Sequence, residues 1–154
     1  MEERFWHKAY APQVPPSIDY QKITLPEVLV KTAKTYPDNL ALNMMGKKIS
    51  FRQLDDLVNR MARALKDLGI HRGDKVAIIL PNMPQTVIAA YAVFRIGAVV
   101  VMNNPLYTER ELAYQLGDSE ARLCICLDLL VPRIQKLKEQ TGIEGIIALS
   151  LIHI

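Results

Sequence analysis

The stretch from Lys75 to Met102 constrains the fold more than any other part of the chain. It consists of the short apolar run KVAIIL, the longer piece PNMPQTVIAAYAVFRIG and a second short run, AVVVM. The two short runs are rich in β-branched residues, which is typical of strands buried on both faces of a parallel sheet. Pro84 suits a first helical turn and Gly97 a helix end, so the middle piece predicts a helix packed nearly all round. The stretch is therefore predicted to form a right-handed βαβ unit.

A membrane span is the alternative interpretation of the same residues. From Thr86 to Met102 the sequence is apolar except for Arg95. This run is shorter than the roughly 20 residues that a bilayer requires, and Arg95 and Gly97 interrupt it near its middle. We therefore favour a core βαβ unit over a membrane span.

Three capping boxes predict where other helices begin. They are Thr24 to Glu27, Ser50 to Gln53, and Thr108 to Glu111, and each is followed by apolar residues at helical spacing. Gly69 is placed to cap the end of the second of these helices. Leu40 to Met45 and Lys47 to Phe51 flank Gly46, which predicts a small hairpin.

The second half of the chain continues the alternation of strands and helices. Ala121 to Leu127 contains the apolar run LCICL, Val131 to Lys138 begins a helix with Pro132 near its start, and Gly145 to Ala148 begins another strand. We therefore predict an α/β fold with a mostly parallel open sheet flanked by helices.

We predict three segments along the chain. Residues 1–22 form an extended N-terminal arm, because prolines and aromatics occur there without a helical or strand period. The arm's aromatic side chains should dock on this domain or on another chain. Residues 23–148 form the α/β domain. Residues 149–154, LSLIHI, match the in-frame translation of a sequencing-library transposon adaptor and are predicted to be a scar, the alternative being a genuine strand end.

Composition excludes several classes of protein. Of the 154 residues, 50% are hydrophobic and the formal charge is +3, which suits one domain with a core. The charges are scattered, so there is no nucleic-acid signature. Cys124 and Cys126 are predicted to face the same side of a strand and to pack in the core, since the ligand spacing of a zinc site is missing. The first ten residues lack the apolar core of a secretory signal. We expect a soluble protein of a reducing compartment.

The sequence contains no recognisable catalytic set and no metal-binding set. Its three histidines, His7, His71 and His153, have no nucleophile or paired carboxylate at a meaningful spacing. The seven glycines are dispersed, so no glycine-rich phosphate loop is present. The residues thus describe an α/β scaffold without a reactive centre.

Open parallel sheets bind ligands at the carboxyl ends of their strands. Here Asn82, Asn104 and Asp128 follow three predicted strands. Arg133 and Lys136 lie in the first turns of the helix after the third strand, where a helix N-terminus with a nearby arginine suits an anion such as phosphate. Ordinary turn and surface residues are the alternative interpretation.

Residues 72–128, including the segment NPLYTERELAYQL, closely resemble the N-terminal region of long-chain fatty-acid–CoA ligases of the adenylate-forming superfamily. The resemblance extends from about Phe5 to Ala148. It implies the truncated N-terminal part of that fold. The full-length protein would be an acid–thiol ligase that joins a fatty acid to AMP from ATP with Mg²⁺, and then passes the acyl group to CoA.

The resemblance also limits the site residues that this chain can supply. The family's phosphate loop, adenine-binding motifs, metal-binding glutamate, acyl tunnel and catalytic lysine all lie beyond Ala148. We therefore expect these residues alone to be inactive, with no catalytic or metal residue and no good binding of ATP, Mg²⁺ or CoA. In related synthetases the matching loop and basic residues approach the CoA nucleotide, which makes Asn104, Pro105, Arg133 and Lys136 the CoA candidates.

Other functions and partners remain open at this point. The full protein is an enzyme for a long-chain fatty acid, a related ligase for an aryl or short- to medium-chain acid, or a non-enzymatic α/β binding module. Fatty acid, ATP and CoA are the expected substrates, and no nucleic acid is expected. A peripheral membrane contact and a homodimer formed through the arm are further expectations. The expected location is the cytoplasm, with membrane association as an addition.

Overall fold

A computed structural model describes residues 4–150 of the chain. The strands are β1 (Leu40–Met44), β2 (Lys47–Ser50), β3 (Lys75–Ile79), β4 (Val99–Met102), β5 (Leu123–Leu127) and β6 (Gly145–Leu149). The α-helices are α1 (Leu25–Thr35), α2 (Phe51–Asp67), α3 (Pro84–Arg95), α4 (Glu109–Asp118) and α5 (Val131–Leu137). Short 3₁₀ helices occur at Phe5–Ala9, Asp128–Leu130 and Lys138–Gln140.

The main sheet has four parallel strands in the order β4-β3-β5-β6. Ala77 at the centre of β3 pairs with Val101 of β4 on one side and with Cys124 of β5 on the other. Each strand is joined to the next by a helix, because parallel neighbours require a crossover connection. The predicted α/β class is confirmed, as is the βαβ unit, in which α3 joins the parallel strands β3 and β4. Its right-handedness stays a prediction. Strands β1 and β2 form a separate antiparallel hairpin.

One prediction about this sheet was wrong, because β4 is not buried on both faces. Within residues 4–150 it pairs with β3 alone and is an edge strand, and the side chains of Val99 and Met102 are 47% and 54% exposed. The run VVVM has the composition of an interior strand. Composition indicates that a segment forms a strand, but it does not indicate how many neighbouring strands that segment pairs with. That number depends on where the next crossover places β5, and β5 lies on the far side of β3.

Helices cover both faces of the sheet. Val76, Ile78 and Ile125 face a core built with α2 and α3, while Ala77 and Ile79 face a second core built with α4 and α5. This alternation follows from the strand period of two residues. Cys124 and Cys126 are both fully buried in the second core, as predicted.

The predicted helix ends are confirmed in detail. The side chains of Thr24, Ser50 and Thr108 each accept a hydrogen bond from the backbone N–H three residues later, and the side chain of that later residue accepts from the cap backbone. At the end of α2, Gly69 has φ +79°, and the Ile70 N–H donates to the Leu65 carbonyl over 3.0 Å. This is a Schellman motif, in which glycine supplies the left-handed residue.

The arm is less extended than expected. Phe5–Ala9 forms a 3₁₀ turn, in which Phe5 and Trp6 meet edge to face with ring centroids 5.0 Å apart. The side chains of Phe5 and Tyr20 are each 83% exposed. The arm's aromatics thus contact one another and stay largely exposed.

The helices bear on the alternative interpretation of residues 86–102 as a membrane span. Within residues 4–150, none of the helices has the length and apolarity that crossing a membrane requires.

Leu149 is the last residue of β6, while residues 151–154 lie outside the described part of the chain. The adaptor origin of residues 149–154 therefore stays a prediction.

Candidate functional site

The carboxyl ends of β3, β4 and β5 lie along one edge of the sheet. Because the three strands are parallel and in register, Asn82, Asn104 and Asp128 follow them on the same side of the domain. The predicted arrangement of these strands is confirmed. This carboxyl edge is where open α/β sheets bind their ligands.

The loop after β4 is fixed to the sheet by an asparagine. Asn103 is 5% exposed, its backbone N–H donates to the Ile78 carbonyl over 2.9 Å, and its Nδ2 donates to the Val101 carbonyl over 2.9 Å. Asn104 Oδ1 accepts from the Leu106 N–H over 2.9 Å, and the Asn104 carbonyl accepts from the Tyr107 N–H over 3.1 Å. The loop is therefore a tight asparagine turn built on a buried anchor.

Arg133 connects this loop to α5. Its Nη1 donates to the Tyr107 carbonyl over 2.9 Å, and the side chain is partly buried. The predicted position of Arg133 near the carboxyl edge is thus confirmed. Sequence reasoning missed the partner, since Tyr107 lies 26 residues away along the chain. A guanidinium has five N–H donors, so this bond leaves others for an anion.

The other predicted CoA residues surround this contact. Asn104 and Lys136 are exposed, and Pro105 is half-buried within the loop. Lys136 is one helical turn beyond Arg133 on α5. Their role in binding CoA stays a prediction.

The start of the helical segment after β5 suits an anion less well than the sequence indicated. The Asp128 carboxylate accepts from the Leu129 N–H over 2.8 Å, at the beginning of the 3₁₀ turn that precedes α5. A carboxylate in this position satisfies a helix N-terminal donor and repels a second anion. Binding of a phosphate at this edge would therefore depend on the Arg133 and Lys136 side chains.

Charges at the opposite, amino edge of the sheet are mutually compensated. Arg122 Nη1 and Nη2 donate to Asp74 and Glu144 over 2.8 and 2.7 Å. The backbone N–H of His71 and the Arg122 guanidinium lower the pKa of Asp74, and Arg122 also lowers the pKa of Glu144. This network holds the strand starts together and has the character of structural ion pairs.

The thiols and the metal-ligating side chains do not form a second site. The neighbouring Cys126 thiol and burial raise the pKa of Cys124, which therefore stays protonated at neutral pH. Across residues 4–150, no three His, Cys, Asp or Glu side chains come together where they could hold a metal ion.

A cavity beneath the hairpin is the feature that sequence reasoning missed. Its volume is about 530 Å³, and it is bounded by the hairpin end, the first half of α2 and the first two turns of α3. We call it the hairpin cavity, and its apolar lining includes Met44, Ile49, Leu57 and Ile88. The hairpin around Gly46 was predictable from the sequence, but the gap between the hairpin and the two helices was not.

These features define an α/β protein with a parallel sheet flanked by helices, and comparison with known proteins identifies its family. Residues 29–151 match the model of the AMP-binding enzyme family, which is most of the chain. The chain therefore belongs to the AMP-binding enzyme family.

Individual relatives agree with this assignment. The chain is similar to the long-chain-fatty-acid–CoA ligase of Bacillus subtilis, with 38% identity over 146 residues, which cover 95% of this chain and 26% of that protein. It is also 36% identical over 104 residues to the 2-succinylbenzoate–CoA ligase of Bacillus velezensis, covering 67% of this chain and 21% of that one. The resemblance seen in the sequence is confirmed.

A solved structure shows the same fold. The long-chain-fatty-acid-CoA ligase FadD1 of Archaeoglobus fulgidus superposes with a TM-score of 0.80 and 26% identity, covering 87% of this chain and 29% of that one. The chain thus spans about a quarter of the length of the curated fatty-acid ligases it matches, 26% for the Bacillus subtilis protein.

Proposed function

We propose that this chain is the N-terminal part of an ATP-dependent long-chain fatty-acid–CoA ligase. The observation that carries the proposal is the 38% identity with the Bacillus subtilis long-chain-fatty-acid–CoA ligase over 95% of this chain. The named relatives from Yersinia pestis and Salmonella typhimurium, at 36% and 34% identity, support the same substrate class.

The proposed reaction has two steps with a common physical purpose. A carboxylate is a poor electrophile, so the fatty acid first displaces pyrophosphate from ATP and becomes an acyl-adenylate. The CoA thiol then attacks the acyl carbon, and AMP leaves. Mg²⁺ would neutralise phosphate charge in the first step, but the described residues supply no ligand set for it.

This chain's proposed contribution is to receive CoA at the carboxyl edge. Arg133 and Lys136 would meet the anionic nucleotide, while Asn104 and Pro105 would shape the loop beside it. The Arg133 bond to the Tyr107 carbonyl supports this assignment, because it holds the loop and the basic side chain in one fixed arrangement.

The decisive experiment uses the complete natural protein that contains these residues. Purified enzyme should release pyrophosphate from ATP with palmitate, and should form palmitoyl-CoA when CoA is added. The 154-residue chain alone should do neither, since the motifs for nucleotide binding are missing from its sequence. Activity of the short chain would contradict the expected inactivity, and an inactive complete protein would overturn the enzyme assignment.

A ligase for an aryl acid is the second candidate. The similarity to the Bacillus velezensis 2-succinylbenzoate–CoA ligase favours it. Competition between palmitate, butyrate and an aryl acid for one preparation separates the two, because the preferred acid has the larger kcat/KM. A non-enzymatic α/β binding module is the remaining alternative, and it predicts no turnover with any acid.

We also propose partners for the arm and a cellular location. The exposed rings of Phe5, Trp6 and Tyr20 suit the interface of a membrane or the surface of a second copy of the chain. Vesicle co-sedimentation and light scattering of an arm-deleted protein test the two contacts separately. The proposed location is the cytoplasm, with a fraction on the membrane surface.

A further inference from the structure

The hairpin cavity has the size and lining of a small-molecule site. Its volume of about 530 Å³ lies within the range of roughly 300–1,000 Å³ that is usual for ligand pockets. Met44 and Ile49 line it from the hairpin, Leu57 from α2 and Ile88 from α3. A second depression of about 380 Å³ shares Met44 and Pro84 with it and reaches Asn82 at the carboxyl edge. The cavity is thus apolar and adjoins the ligand side of the sheet.

The polar groups of the cavity indicate the charge of its ligand. Lys47 and Lys48 line it from β2, and within residues 4–150 neither lysine belongs to an ion pair. Asp56 supplies the single opposing charge of the lining, so the cavity carries a net positive charge. An apolar pocket with unpaired ammonium groups is complementary to an apolar molecule that bears an acidic head.

A buried amide is a separate sign that the cavity binds a ligand. Gln85, in the first turn of α3, lines the cavity, and its Oε1 is buried without a hydrogen-bond partner in the described part of the chain. Buried polar atoms are nearly always paired, so an unpaired one in a cavity wall marks a place where a hydrogen-bond partner is missing. An amide oxygen and a carboxylate both only accept hydrogen bonds, so a water molecule that donates to both would connect Gln85 to an acidic ligand.

Strain at the hairpin tip is the third observation. Met45 has φ +50° and Gly46 has φ +85°, so the turn places two consecutive residues in the left-handed region. Glycine adopts this region readily, whereas methionine does so at a cost. The Met45 side chain is 93% exposed at the rim of the cavity. Met45 is therefore an exposed apolar side chain, flexible and on a strained backbone, at the rim of the cavity. Such a side chain can fold over a bound ligand and pack against it.

We propose that the hairpin cavity binds an aliphatic monocarboxylate. The aliphatic body lies against Ile49, Leu57 and Ile88, the carboxylate meets Lys47 and Lys48, and Met45 closes over the chain. This proposal goes beyond the ligase assignment, because the site uses none of the carboxyl-edge residues. Binding to the cavity is tested without ATP or CoA. The cavity proposal can therefore fail while the ligase proposal stands, and the ligase proposal can fail while the cavity proposal stands.

Methionine methyl NMR tests the site directly. The chain has six methionines, which can all be labelled at the methyl carbon. Laurate, titrated below its micellar concentration, should shift the Met44 and Met45 methyls and leave Met102, on the edge strand, unmoved. Dodecyltrimethylammonium, with the same chain and a positive head, should bind much more weakly. Equal shifts with both compounds, or shifts centred on Met102, would overturn the proposal.

Charge variants give the affinity test a matched control. The double variant Lys47→Glu, Lys48→Glu should raise the laurate Kd roughly tenfold or more, since it removes charge-assisted contacts. The same change at Lys31 and Lys34, exposed residues of α1, should leave the Kd unchanged. An unaltered Kd in the hairpin variant, with both proteins folded, would rule out the proposed head-group contact.

A glycine at the tip separates binding from folding. Met45→Gly should raise the midpoint of thermal unfolding while weakening laurate binding several-fold, because it relieves backbone strain and removes the cover. Glu120→Gly is the control, since Glu120 also has a positive φ, +54°, but lies far along the chain, after α4. It should leave laurate binding unchanged. Unchanged or tighter binding by Met45→Gly would contradict the role of Met45.

Discussion

Arg95 on α3 reaches across to Asp55 on α2, with 2.8 Å between Nη2 and Oδ1. The two side chains are only 15% and 24% exposed, and Arg95 also donates to Asn59. Arg95 is the only charged residue between Thr86 and Met102, the stretch for which a membrane span was the alternative. In the structure, this residue connects α3 to α2. Removing one partner of a partly buried ion pair lowers stability strongly, because the other charge then stays buried without a partner.

We predict that Arg95→Ala lowers the free energy of unfolding by about 1–3 kcal/mol, because it leaves the Asp55 carboxylate partly buried without its cation. Urea denaturation followed by circular dichroism measures the change. The control is Arg63→Ala, which breaks the exposed Arg63–Asp67 pair, with side chains 82% and 68% exposed. It should cost less than about 0.5 kcal/mol. Equal losses in the two variants would show that burial does not govern these pairs.

A second prediction is that replacing glycine by alanine changes stability in opposite directions at two positions. Gly69→Ala should destabilise the protein by about 1 kcal/mol, because Gly69 has φ +79° at the end of α2. Gly117→Ala should stabilise it by about 0.5–1 kcal/mol, since Gly117 lies within α4 and an added Cβ would be 3.8 Å from the Gln140 carbonyl. Thermal unfolding of the two variants under the same conditions checks both signs, and a shared sign would refute the argument.

Local signals made much of this fold predictable. The capping boxes at Thr24, Ser50 and Thr108 and the glycine at position 69 act within a few residues, so the sequence shows them directly. The central strands were equally clear, because β3 and β5 are buried on both faces and are apolar throughout.

Long-range relationships were not predictable in the same way. The edge position of β4 depends on where β5 pairs, and the Arg133 bond to Tyr107 joins residues that are far apart in sequence. The hairpin cavity exists only because β2, α2 and α3 leave a gap between them. Position along the sheet and the partners of long side chains are tertiary properties, which a single sequence does not encode in any local pattern.

The ion-pair network at the amino edge predicts a loss of stability in acid. Asp74 and Glu144 have folded-state pKa values below their reference values of 3.8 and 4.5. Their contribution is therefore fully present above about pH 5 and is lost as the pH falls through the lowered values. The variant Arg122→Met should flatten this acid limb, chiefly through Glu144, because the His71 N–H still lowers the pKa of Asp74.

Urea midpoints measured from pH 7 to pH 3 check this prediction. The wild-type midpoint should fall more steeply between about pH 5 and pH 3 than that of Arg122→Met. Arg52→Met is the control, since it breaks the exposed pair with Asp38, whose side chains are 67% and 84% exposed. An acid limb of equal slope in Arg122→Met and the wild type would show that the network contributes no pH dependence.

The last prediction concerns Arg133 in the complete natural enzyme. Arg133→Ala should raise the KM for CoA roughly tenfold or more and leave the KM for ATP nearly unchanged, because a lost charge-assisted contact costs about 1.5–3 kcal/mol. The bond from Arg133 to the Tyr107 carbonyl adds a structural expectation. Amide hydrogen exchange in the loop around Tyr107 should accelerate in the same variant.

Lys136→Ala separates contact with CoA from support of the loop. Lys136 is exposed on α5 and has no hydrogen bond to the loop among the described residues, so its loss should raise the KM for CoA without changing amide exchange near Tyr107. If Arg133→Ala accelerates exchange but leaves the CoA KM unchanged, Arg133 supports the loop alone. An unchanged CoA KM in both variants would remove CoA from this edge, and the family assignment would be unaffected, because it rests on residues 29–151 as a whole.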